Sequence, residues 1–332
     1  MRLTFLGTGT SFGVPVVGCD CNACTSDDPR DQRTRHGAVL EIDGARLLID
    51  TPPELRLQLL ANQINHIDAI WFTHTHADHV HGIDDVRVFT VKKGAIPAFV
   101  PAEYSRHITS YFRYIFDDEI LPPLGSSKPR ARLQEFRAGE SVEILGRGFL
   151  PIAVPHGSVS VYGFRVGGLG YITDAKTLPQ GAIAALKGVE VLVLNALWFG
   201  RPHPSHLNVE EAIEVAREVD AAQTYLTHLT HRVTHAELED RLPSGVIAAY
   251  DGLTIEVTGL MRILVDGQEL SRAALSNSSP VLASQLPLND TPLIIQNSLN
   301  GISLEQYREL NFRISNIPIS LERRFIPPPT IG

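Results

Sequence analysis

Apolar and polar positions along the chain fall into two rhythms. Short apolar, β-rich runs occur at 2–6, 38–42, 46–50, 67–73, 149–154, 161–166, 189–194, 222–227 and 253–257. Each is strand-sized, and turn residues bound most of them. Asp43-Gly44 separates two runs as a hairpin would, and Asp251-Gly252 reads the same way near residue 250. Helical spacing appears at 53–62, 103–116, 179–187 and 209–218. The last begins with Asn208 at the N-cap position and Glu211 three residues on, the order of a capping box. Strands dominate both halves with helices between them, which predicts an α/β body of sheets covered by helices over residues 1–260.

The pattern changes after residue 260. Residues 270–286 are rich in Ser and Ala, Pro287 to Pro292 is turn-prone, one candidate helix spans about Ser303 to Phe312, and Pro327-Pro328-Pro329 lies near the end. Residues 261–332 read as an extension that docks on the body or on a partner, with too few large apolar residues for a core of their own.

The chain has 332 residues and 43% hydrophobic content, enough for one large core or two modest ones. A formal charge of -8 lacks the electrostatic footprint of a nucleic-acid binder. Apolar runs are strand-sized, far short of the ~20 residues of a membrane span. The first residues, Met1 to Gly7, lack the three-part pattern of a signal peptide, so a cytoplasmic protein is expected. A homodimer is the default expectation from the frequency of twofold symmetry. All three cysteines fall between positions 19 and 24. Thiols spaced this closely suggest a metal rather than a disulfide framework.

The densest chemistry is Thr73-His74-Thr75-His76-Ala77-Asp78-His79, directly after an apolar run. In extended chain His74 and His76 point to one side. Asp78 and His79 follow once the chain has turned, and can face the same cavity. Imidazole and carboxylate suit zinc, manganese or iron. A His-rich surface loop is the plainer alternative, but four potential ligands in six residues after a buried strand argue against it.

This His-x-His-x-Asp-His stretch resembles the signature of the metallo-β-lactamase superfamily. The resemblance implies an αββα sandwich, two mixed β-sheets flanked by helices, here with a C-terminal extension. It also implies further ligands at strand ends, and His156, Asp174 and His228 stand at such positions. On this reading His74, His76 and His156 hold one divalent ion, Asp78, His79 and His228 hold a second, and Asp174 bridges them. Asp50, ending a run before Thr51-Pro52-Pro53, would orient a ligand histidine.

The opening from Gly7-Thr8-Gly9-Thr10-Ser11 to Gly18-Cys19-Asp20-Cys21 is similar to that of the phosphoribosyl 1,2-cyclic phosphate phosphodiesterases. So are Leu242-Pro243-Ser244-Gly245 and Tyr250-Asp251-Gly252. In that group three cysteines and a histidine hold a structural zinc, which implies Cys19, Cys21, Cys24 and His231 here. By resemblance to the same group and to tRNA 3′-end-processing nucleases, His206 is the proton donor to the leaving oxygen or a phosphate contact. His203 has a weaker case. His36, His81 and His235 read as structural or solvated, and Arg33 and Arg35 as exposed arginines near the opening loop. The chain departs from the group at His36 and at Pro52-Pro53, where a glycine is more usual. Residues 84–148, which would line the substrate pocket, carry no signature of a substrate.

The expected function is therefore a dinuclear-metal hydrolase acting on a small anionic phosphodiester, cyclic or linear, with manganese, zinc or iron in the active site and one structural zinc. A pair of divalent ions activates water and neutralises charge on the attacked group. The same pair can attack carboxylic esters, lactones or thioesters, and an RNA-processing nuclease is a further reading that the net charge disfavours. From another class, a non-catalytic, metal-stabilised binding scaffold ranks below the enzyme because no ligand position is broken.

Overall fold

A computed structural model describes residues 1–258 and the strands Ile263–Val265, Gln268–Leu270 and Phe312–Arg313. The chain divides into two compact units, Met1–Met261 and Arg262–Gly332. Among the described residues no helix is long and apolar enough to cross a membrane.

The first unit holds two seven-stranded sheets. One consists of β1 (Arg2–Gly7), β2 (Gly37–Ile42), β3 (Ala45–Ile49), β4 (Ala69–Trp71), β5 (Ile96–Pro101) and β6 (Ala131–Phe136), which lie in chain order, with β14 (Thr254–Glu256) beyond β1. The other runs in the order β13 (Val246–Ala248), β12 (Gln223–Thr227), β11 (Val191–Asn195), β10 (Leu169–Tyr171), β9 (Val159–Val166), β8 (Arg147–His156) and β7 (Val142–Ile144). Both sheets are mixed. In the first, β14, β1, β2 and β3 pair antiparallel and β3 to β6 parallel. In the second, β7 to β10 pair antiparallel and β10 to β13 parallel.

Alternation along the strands decides the layering. Leu47, Ile49, Ala69, Trp71, Phe99, Phe164, Tyr171 and Val193 share one buried cluster between the sheets. Their neighbours Leu48, Ile70, Ala98 and Val100 join a second cluster, on the outer face of the first sheet. That face is covered by α1 (Leu55–Ala61), α2 (Ala77–Val80), α3 (Arg87–Lys93), α4 (Ser105–Tyr111) and α5 (Arg113–Phe116). Leu192, Leu194 and Leu226 pack outward against α6 (Gln180–Leu186), α7 (Val209–Val219) and α8 (His235–Arg241). A period of two that sends successive side chains to opposite, equally dry faces gives two sheets with helices outside both. Trp71 anchors the inner layer, stacked on Phe136 at 4.1 Å and edge-on to Phe164 at 5.1 Å.

The Asp43-Gly44 turn joins β2 to β3 with φ of 51° and 87°, as a two-residue hairpin requires. Asp251-Gly252 is not a hairpin, because β13 and β14 lie in different sheets. Asp251 instead accepts hydrogen bonds from the N–H and hydroxyl of both Thr8 and Thr34 at 2.6–2.8 Å, tying the loop after β1 to the far end of the unit. The helical stretch at 103–116 breaks at Phe112, whose φ of -117° and ψ of 43° separate α4 from α5.

In the second unit, Ile263–Val265 pairs antiparallel with Gln268–Leu270 and with Phe312–Arg313. Phe312 is thus in a strand; the rest of the helix expected from Ser303, like most of 270–286, lies outside the described residues.

Candidate metal centre

Every candidate ligand of the His/Asp set sits at the C-terminal end of a strand or in the segment that follows it. His74 and His76 follow β4, and His76 is the N-cap of α2, which carries Asp78 and His79. His156 is the last residue of β8, Asp174 follows β10, and His228 follows β12. Asp50, Asp174 and His228 all adopt left-handed backbone, with φ of 60°, 56° and 57°. That conformation is uncommon outside glycine, and at a strand end it turns the side chain out of the alternation.

Donor atoms gather into overlapping groups, each within 4.8 Å: His74, His76 and His156; Asp78, His79 and His228; His74, His79 and Asp174; and His156, Asp174 and His206. The first sheet supplies the histidines and aspartate of the 74–79 stretch, and the second supplies His156, Asp174 and His228.

Hydrogen bonds at the ring nitrogens facing away from the cluster set the tautomers. His79 Nδ1 donates to Asp50 Oδ2 at 2.7 Å, and His156 Nδ1 donates to the Ser205 carbonyl at 2.9 Å. Thr73 donates through its N–H and hydroxyl to the two oxygens of Asp50, each at 2.8 Å, and its oxygen lies 3.0 Å from His74 Nδ1. These contacts occupy the Nδ1 atoms of His74, His79 and His156 and leave their Nε2 atoms for other partners. Support of this kind is how proteins orient metal-binding imidazoles.

Burial lowers His74 well below its ordinary pKa, reinforced by the cationic character of neighbouring His79, and it also lowers His76. Burial works against protonation of His79 too, but Asp174, Asp78 and Asp50 outweigh it and raise the group to about 10. Asp174 resists the same desolvation because His228 and His79 hold it well below the carboxylate range. His79 Nε2 and both ring nitrogens of His228 are buried without a hydrogen-bond partner, although His228 Nε2 lies 2.9 Å from Asp174 Oδ1. Buried nitrogens left bare beside carboxylates fit divalent cations as the missing partners.

His206 borders this cluster. Its Nε2 lies 3.1 Å from Asp174 Oδ1 and its ring is stacked 4.9 Å from that of His228. Burial pushes it down to about 4 even though Asp174 pulls the other way, so it is neutral at neutral pH. His203 lies beside it, Nδ1 to Nδ1 3.3 Å.

Cys19, Cys21, Cys24 and His231 form a separate donor group. His231 Nδ1 lies 3.2 Å from the Cys19 sulfur and 3.4 Å from that of Cys21, and the Val16 N–H points at the Cys24 sulfur. A backbone N–H from Cys24 helps to lower Cys21 to about 6. Three sulfurs and one imidazole suit a closed tetrahedral zinc site.

Two arginines expected to be exposed are not. Arg33 is buried and donates to Thr8 Oγ1, to the Ala249 carbonyl and toward His235 Nδ1. Arg35 donates to the Ser11 carbonyl and is paired with Glu54. His235 is buried with its N–H on Asp31, while His81 is exposed. His36 is fully buried behind the cluster, held by the Tyr171 hydroxyl at 2.8 Å and against the rings of His79 and His228. A lone histidine before a strand gives no sequence signal of such a place.

Comparison with known proteins places the chain in a family. Residues 45–229, 185 of the 332, fit the model of the beta-lactamase superfamily domain. A solved diphosphatase of the PhnP family is 38% identical, covers 77% of this chain and 97% of its own, and has a TM-score of 0.70. An octanoyltransferase of Porphyromonas gingivalis is 33% identical over 255 residues, which are 76% of this chain but 51% of that protein, so the chain spans about half its length. A ribonuclease Z of Methanopyrus kandleri is 25% identical across 69% of this chain and 94% of its own. With the family model spanning more than half the sequence and the diphosphatase matched nearly end to end, the chain belongs to the metallo-β-lactamase superfamily and is related to PhnP.

Proposed function

We propose that the protein is a phosphodiesterase that hydrolyses a small phosphodiester, with ribose cyclic phosphates the first class to test, at a dinuclear metal site. The observation that carries this reading is the set of seven donors, drawn from both sheets, with His206 placed against Asp174. In it His74, His76 and His156 would hold one ion and Asp78, His79 and His228 the other, with Asp174 beside both sets. Bound there, divalent ions activate water and offset the charge that builds on the phosphate oxygens.

The chain's own groups do the rest. Asp50 keeps His79 aimed by accepting its Nδ1 proton, and the Ser205 carbonyl does so for His156. His206 would turn its Nε2–H from Asp174 toward the leaving oxygen as a hydrogen-bond donor, and transfer of a proton as the P–O bond breaks requires its imidazolium form, which Asp174 favours and burial opposes. Cys19, Cys21, Cys24 and His231 hold a structural zinc that ties the opening loop to the chain after β12.

The likeness to a PhnP-family diphosphatase supports phosphoryl over carbonyl chemistry. The match to ribonuclease Z favours RNA as a second reading, which the net charge of -8 opposes. Acyl transfer is not carried over from the Porphyromonas protein, half of which lies outside the match. The test is turnover of a chromogenic phosphodiester with added manganese or zinc, compared with Asp78→Ala. Metal-dependent hydrolysis that the folded variant lacks supports the reading. Equal rates in both would refute the site assignment, and no turnover with any metal would move the reading to carbonyl esters or a binding scaffold.

A further inference from the structure

Beside the His/Asp cluster lies a cavity of about 300 Å³ walled by Trp198, Phe199, Arg201, Arg232, Glu237 and Arg241. It is built from α8 and two loops that carry candidate-site residues. One runs from β11 to α7 and bears His203 and His206; the other follows β12, bears His231 and leads into α8. The loops are joined at Leu197, and the first is braced within itself. The Thr230 N–H and hydroxyl both donate to the Leu197 carbonyl, at 3.2 and 3.0 Å, and Trp198 Nε1 donates to the Arg201 carbonyl at 2.8 Å.

Three guanidinium groups meet there. Arg232 lies over the Trp198 ring at 4.3 Å and Arg241 over the Phe199 ring at 3.5 Å. No carboxylate lies within salt-bridge distance of Arg201, Arg232 or Arg241 among the described residues. The one acid in the wall, Glu237, has an oxygen engaged by the N–H and hydroxyl of Thr234. Stacking on an aromatic face fixes a guanidinium while leaving its N–H edge free, the disposition that suits bidentate recognition of phosphate. Trp198 touches His203 edge-on at 5.6 Å, and His203 touches His206 at 5.1 Å, so the cavity is two ring contacts from the group placed at the leaving oxygen.

We propose that this cavity is a second anion subsite, which binds a phosphate group carried on the leaving-group side of the substrate. The proposal rests on the phosphodiesterase reading for its role but not for its binding test. Trp198 is one of two tryptophans, and the other, Trp71, is buried between the sheets, so Trp198 emission reports on the cavity. The experiment titrates inorganic phosphate into the metal-loaded full chain at constant ionic strength and follows tryptophan fluorescence. A saturable change is expected, absent in Trp198→Phe, and weakened about tenfold in both Arg241→Gln and Arg201→Gln. The charge-matched Arg106→Gln, on α4, should titrate like the parent.

Thermal unfolding of each variant separates lost binding from lost fold. No saturable change, or one that both arginine variants leave intact, overturns the proposal. So does binding confined to single-stranded RNA with affinity that rises with its length, which would make the cavity a nucleic-acid surface. If the chromogenic diester is not turned over while phosphate still binds as described, the catalytic reading fails and the subsite stands.

Discussion

At the scale of single residues, Asp50 connects a strand end to the candidate metal centre. Its left-handed backbone aims the carboxylate across the end of β4, where it takes up two bonds from Thr73 and one from His79. Burial raises its pKa, opposed by the neighbouring His79 and by all three hydrogen bonds. Asp50→Asn keeps the shape but removes the charge that orients His79, so metal affinity should fall about 10–100-fold. Competition with a chromophoric chelator measures it; an unchanged affinity would reduce Asp50 to a packing residue. His74, His76, Asp78 and His79 are legible in sequence because four donors crowd into six positions behind an apolar run. His36 and Asp251 are not, since each is a single polar residue whose hydrogen-bond partners lie 135 to 243 positions away. Arg33 misleads for the same reason: its burial depends on Thr8, Ala249 and His235, which only the fold brings together.

At the scale of elements, caps and close backbone approaches hold the ligand-bearing segments. Asn208 accepts from the Glu211 N–H at 2.8 Å while Glu211 accepts from the Asn208 N–H at 2.9 Å, closing a capping box at α7. Asn208→Ala should cost about 1 kcal/mol, a shift of about 2–4 °C in thermal unfolding. Asn208→Asp should recover most of it, and failure to do so would deny the cap its role. Gly82, just after the 74–79 stretch, is more sensitive. A Cβ there would stand 1.9 Å from the Pro52 carbonyl oxygen, and its N–H already donates to Thr51 at 2.8 Å. Because the obstacle is backbone, Gly82→Ala should cost about 3 kcal/mol, or roughly 6–12 °C, and loosen metal binding with it. A variant as stable as the parent would mean that the Thr51-Pro52 segment can move. The strands that periodicity omits lack a local mark for different reasons. β10 and β13 have three residues each, β5 is interrupted by Pro97 and Pro101, and β6 alternates too weakly, with charged residues along its exposed face. The long buried strands and the capped helix α7 are legible because alternation or a cap marks them locally.

For the whole molecule, the consequence is that metal and fold are coupled. The candidate centre draws donors from both sheets, and the cysteine cluster joins residues 19–24 to residue 231, so ions held there would bind the folded chain more tightly than the unfolded one, which keeps only the local donor runs. Such binding stabilises by about 4 kcal/mol at a thousandfold excess over Kd. For a unit of this size that is about 8–16 °C in unfolding temperature. The two clusters differ in donor chemistry, and this separates their contributions. Sulfur-rich sites select zinc, whereas imidazole and carboxylate accept manganese as well. After dialysis against a chelator, the unfolding temperature should fall; manganese should restore only the share owed to the His/Asp cluster, and zinc should restore both. Cys21→Ser should remove the difference between the two metals while leaving the manganese response in place. Unfolding that ignores chelator and both metals would mean that the donors meet without holding ions, and the proposed dinuclear site would fall with the structural zinc.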